Sequence, residues 1–134
     1  MTSIEGPDAV LVKNATVWTS GPKGRLENAD LLIRKGKVVK VGKNIKAPRN
    51  ALEIDASGKH VTPGLIDAHS HAGISRGVNE SASAISVEVR IGDVVNPVDI
   101  NLYRQLAGGL TTSHLLHGSA NPMGGQSQVI KHRW

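Results

Sequence analysis

His69 and His71 are separated by a single residue, Ser70, and follow the apolar pair Leu65-Ile66. In an extended strand residues i and i+2 point to the same face, so this spacing brings two imidazoles toward one point. Imidazole is a common ligand for zinc and related divalent ions, and two rings on rigid backbone supply half of a typical coordination shell. The chain has no cysteine, so any further ligands would be histidine, carboxylate or water. Asp67 has the same parity one pleat below His69, where its carboxylate is expected to orient an imidazole through a hydrogen bond. The plainer alternative is an incidental pair. Against it stands the context: a Pro63-Gly64 turn, an apolar strand start, then polar residues of one parity, as in a strand carrying ligands at its C-terminal end.

The elements that must hold this pair divide the chain in two. Residues 1–62 read as a small β-domain, in which short apolar segments from Val10 to about Ile54, separated by Ser20-Gly21-Pro22, Lys35-Gly36 and Ala47-Pro48-Arg49-Asn50, predict a β-meander. Its clearest hairpin is Ile33 to Val38, and His60 reads as an edge or surface residue. From residue 63 to 134 the pattern is strand, crossover with helix, strand. Asn79 or Ser81 could cap a helix reaching about Arg90. Asp99 is a better N-cap, with Ile100, Leu102, Tyr103, Leu106 and Ala107 at helical spacing and Gly108-Gly109 as the stop. Thr111 to Leu116 then reads as a strand, completing a βαβ unit of a parallel sheet.

Thr62-Pro63-Gly64-Leu65-Ile66-Asp67-Ala68-His69-Ser70-His71 resembles the opening barrel-strand signature of the amidohydrolase superfamily of metal-dependent hydrolases, nearest its imidazolonepropionase-like and related cyclic-amide branches. Val10 to Trp18, Asn28 to Ile33 and Lys35 to Val39 resemble the small β-domain that precedes the barrel in that family. Leu106 to Thr112 resembles the helix end and second barrel strand. The resemblance implies a fold: a small β-rich N-terminal domain, a composite β-sandwich, over 1–62, then the first one or two βα units of a (β/α)₈ TIM barrel over 63–134. It also implies an activity, the hydrolysis of a non-peptide carbon–nitrogen bond in a cyclic or substituted amide. His69 and His71 would hold one or two ions of Zn²⁺ or a similar metal, which activates water. A closed barrel takes about 250 residues and at least about 200. The family's other ligands and its general-base aspartate are therefore expected beyond Trp134, and the chain alone is expected to be inactive.

His114 and His117 have opposite parities on the predicted second strand. His117 lies nearer the strand end, where barrel active sites form, so it is a candidate for substrate contact or for a plain backbone hydrogen bond. The loop Gly118 to Gln126 lacks the Gly-Lys-Ser/Thr ending of a phosphate-binding loop. Its Asn121 and Gln126 are candidate contacts to a polar small-molecule amide substrate, and a simple connection is equally compatible.

Composition is that of an ordinary globular protein, 39% hydrophobic and 20% charged. No run of 18 apolar residues predicts a membrane span, and Met1 to Asp8 holds no signal core, so cytoplasm is the default location. The net charge of +5 arises in the first sixty residues, with eleven Lys and Arg against six Asp and Glu. Its basic residues interleave with Val38, Val39, Val41 and Ile45 as on a solvated sheet face, and no Phe and one Tyr leave little surface for stacking bases. Nucleic acid is therefore not the expected partner. A non-catalytic β-rich binding module with an incidental His pair is the remaining rival, and homo-oligomerisation of a full-length form stays open.

Overall fold

The structure, a computed structural model, describes residues 6–79 and 82–134. The chain divides into two compact units, Met1–Pro63 and Gly64–Trp134.

The first unit is one mixed sheet. Strands β1 (Ala9–Trp18), β2 (Arg25–Arg34) and β3 (Lys37–Gly42) run antiparallel in sequence order. The β2–β3 turn is Lys35-Gly36, both at positive φ (48° and 71°). That is the twist a two-residue hairpin needs, and it matches the expected Ile33↔Val38 pairing. Strands β4 (Leu52–Asp55) and β5 (His60–Val61) do not continue the meander. Both lie parallel to β1 on its other edge, β4 against Val10–Lys13 and β5 against Thr16-Val17. This corrects the meander expectation, which holds for β1 to β3 only: β4 and β5 return to extend the sheet of β1. Between Val12 and Ala15 the β1–β2 ladder slips, and Asn14 takes positive φ there. The buried Asp30 accepts the Asn14 amide (3.1 Å) and the Ile45 amide (2.9 Å), so its carboxylate is satisfied. Apolar side chains collect in two clusters, one around Ala15, Val17, Ala29 and Ala56, the other around Leu11, Leu32 and Ile45.

The second unit begins with β6 (Leu65–Ser70), which pairs parallel with β7 (Leu110–Leu115). Between them runs α1 (Ile100–Ala107), capped by Asp99 as its spacing predicts. Gly64 precedes β6 because the chain there presses on Thr111; a Cβ at Gly64 would overlap that side chain. A third strand, β8 (Gln128–Lys131), adds antiparallel to β7 and was not anticipated from its four residues.

Of the helix expected from Asn79 or Ser81 to about Arg90, the described residues 82–90 form no helix; Ser81 lies outside the described residues. The backbone over 82–91 is instead laid along the loop 118–126. Ser86 donates to the Met123 carbonyl (2.9 Å), Met123 to Ala84 (3.2 Å), Gln126 to Val89 (2.8 Å) and Ile91 to Gln126 (3.0 Å). Serines that compete for backbone bonds and β-branched Ile85, Val87 and Val89 favour this extended pairing over a helix.

Candidate metal centre

The site grows from the last residues of β6 and the end of β7. Between Asp67 and Ser70 the ladder slips: β6 uses three residues where β7 uses two, Asp67 opposing Ser113 and Ser70 opposing Leu115. Strict alternation therefore fails across this stretch, and Asp67 cannot be assigned the face of the histidines by parity. Its carboxylate accepts the main-chain N–H of His69 (3.0 Å). The expected hydrogen bond to an imidazole is replaced by one to backbone, which fixes the bend at the slip.

His69 and His71 are brought together nonetheless. Their ring centroids lie 5.1 Å apart with planes at 89°, and both side chains are exposed. His71 Nδ1 is 3.0 Å from the Leu116 carbonyl. A carbonyl only accepts, so Nδ1 carries the proton and Nε2 presents its lone pair outward. A backbone carbonyl holding the far nitrogen is the usual support for a metal-ligating histidine. Two such imidazoles suit zinc or a similar ion as half a ligand set. Among the described residues, no group of three or more His, Asp or Glu is gathered to complete one.

The chain leaving His71 is tied down from α1. Asp99 Oδ1 accepts the Asn101 amide and Oδ2 accepts the Gly73 amide, each at 2.9 Å. Those bonds, from Asn101 first and then Gly73, hold the Asp99 carboxyl below its ordinary pKa.

The other candidates have structural partners. His114 Nδ1 donates to the Ala68 carbonyl (3.2 Å), and its Nε2 meets Ser127 Oγ (2.7 Å). Asn121 is buried and donates its Nδ2 to the Ser83 carbonyl (2.9 Å), which places it in the packing of the loop against 82–91. Gln126 is exposed, its backbone engaged with Val89 and Ile91. His117 is half-buried beside a cavity of about 210 Å³ lined also by Ser75, Val78, Asn79, Val89 and Ile91. Its Nε2 is buried without a hydrogen-bond partner and lies close under Gly125. A buried pair escaped the sequence reading altogether: Ser113 Oγ and His132 Nε2 are 2.7 Å apart. His132 Nδ1 reaches toward the Leu102 carbonyl (3.4 Å), joining β7, the end of β8 and α1. No local signal links residues 19 apart whose partnership depends on an antiparallel strand four residues long.

No protein-family model matches the chain. Among solved structures, an amidohydrolase from Thermotoga maritima MSB8 superposes with a TM-score of 0.78 at 41% identity, over 93% of this chain. Amidohydrolase tasK of Hapsidospora irregularis is 32% identical over 95% of this chain. The chain belongs to the amidohydrolase superfamily. A dihydroorotase of Ligilactobacillus salivarius is 43% identical over 47% of this amidohydrolase-superfamily chain. The chain spans 34% of the Thermotoga structure, 15% of tasK and 14% of the dihydroorotase.

Proposed function

We propose that these 134 residues supply the first two ligands of the metal centre in a hydrolase acting on a non-peptide carbon–nitrogen bond, in a cyclic or substituted amide. The reading rests on one observation: two exposed imidazoles 5.1 Å apart at the end of β6, one with its tautomer fixed by Leu116. The amidohydrolase and dihydroorotase names of its relatives support the reaction class. A bound divalent ion would supply Lewis-acid polarisation of the amide carbonyl and acidification of water. His69 and His71 bind that ion through ring nitrogens, Leu116 keeps His71 in the ligating tautomer, and Asp67 fixes the backbone entering the pair at His69. The remaining ligands and the general base belong to residues outside this chain. Titration of the chain with Zn²⁺ tests the ligand assignment. Binding should weaken at least about tenfold in either H69A or H71A, in line with loss of a ligand. An H69A/H71A double variant that binds zinc as tightly as the parent would sink the assignment.

A further inference from the structure

We propose that Asp99 is a positioning residue for His71, acting across the helix–strand junction through Gly73. Asp99 does more than cap a helix. One carboxylate oxygen takes the Asn101 amide at the start of α1, and the other takes the amide of Gly73, two residues past His71. Gly73 is fixed from two further directions. Its carbonyl accepts the Asn96 amide at 2.7 Å, and the Leu102 side chain packs 3.1 Å from where a Cβ would stand. Gly73 is buried at φ +69°, a conformation that L-residues adopt only at a cost.

On the other side of His71, the Ser70 carbonyl accepts the Leu116 amide (3.2 Å), and the ring itself is held on the Leu116 carbonyl (3.0 Å). His71 follows the final residue of β6 and therefore has no ladder of its own. Its backbone is pinned before by β7 and after by Asp99, so its imidazole direction depends on both. Removing the Asp99–Gly73 bond frees the exit and lets the ring leave Leu116.

The discriminating variant is D99N. Asparagine caps helices about as well as aspartate through its carbonyl oxygen, but its second head-group atom is a donor and cannot accept from Gly73. D99S serves as a second variant, since serine also caps but has a single oxygen. The readouts are the helical circular dichroism, the imidazole ¹H–¹⁵N spectrum of the metal-free chain, and Zn²⁺ affinity. We expect retained helix, a His71 Nδ1–H signal broadened or shifted toward mixed tautomers, and zinc binding about tenfold weaker, as when a residue supporting a ligand is lost. A His71 spectrum unchanged in both variants would overturn the proposal and leave Asp99 a cap alone. The affinity readout rests on the metal reading above, whereas the tautomer readout does not. A parent chain that binds no zinc but loses its His71 signal in D99N would uphold Asp99 while removing the metal assignment.

Discussion

Strands β1 and β6 are both apolar at their start, yet they meet different fates. β1 has neighbours on both edges, β2 on one and β4 with β5 on the other, and its Leu11 and Ala15 are wholly buried. Among the described residues β6 is bonded only to β7, and its Leu65 and Ile66 remain 58% and 72% exposed. The difference lies on the sheet faces: Leu11 and Ala15 join apolar clusters with Leu32, Ile45, Ala29 and Ala56, and among the described residues no such cluster gathers Leu65 or Ile66. The contrast also separates stability from chemistry. The sheet with two sides of support is built for packing, and the histidine pair sits where backbone order comes from a slipped ladder and individual hydrogen bonds.

Core truncation is the strongest way to break the contrast. Leu11→Ala and Leu115→Ala each delete a side chain with no exposure, at a cost of about 2–5 kcal/mol. Calorimetry of the two variants should show L11A lowering one transition and L115A another. A single transition lowered equally by both would show that the units melt as one.

Glycines offer a finer test. In the second unit, a Cβ at Gly125 would collide with the Val89 carbonyl and crowd His117, so G125A should cost about 1–3 kcal/mol through overpacking. In the first unit, Gly24 has φ +59° and open space around it; G24A should cost about 1 kcal/mol from backbone strain alone. Urea denaturation would separate the two, and equal losses would mean that the loop around Gly125 relaxes freely.

The smallest effect is acid sensitivity, carried among the described residues by Asp55 in the first unit and Asp99 in the second. Asp55 is held below its ordinary pKa by Ser57 and Asn14, and Asp99 by the amides of Asn101 and Gly73. A folded pKa below the unfolded one adds stability that is present above the unfolded value and is lost as pH falls through the folded value. Melting temperatures recorded downward from pH 6 should therefore fall below about pH 4, the ordinary range for aspartate. D55N should blunt that fall in the first unit and D99N in the second; parallel curves for variant and parent would dismiss the assignment.

Local chemistry made part of this legible in the sequence. Lys35-Gly36 dictates a tight turn, Asp99 with its apolar spacing dictates α1, and His69-x-His71 after an apolar start does bring two rings together. What stayed hidden depends on distant partners. Asn79 to Arg90 carries enough cap-like residues to suggest a helix, but Ala84, Ser86 and Val89 pair their backbone with a loop more than thirty residues later. The slip at Asp67 has no sequence mark, since it records how β6 meets β7. Nothing near Asn121 reveals that its amide would be spent on Ser83, or that Ser113 would find His132.

The bond from His71 to Leu116 spans 45 residues of chain. At a synthesis rate of about 5–20 residues per second, a nascent β6 waits roughly 2–9 seconds for the strand that completes it. Over that interval Leu65 and Ile66 have no β7 beside them, while the β1–β2–β3 sheet upstream already has its hairpin partners. The orientation of His71 is thus among the last things synthesis can set in this unit, since its carbonyl partner is made 45 residues later.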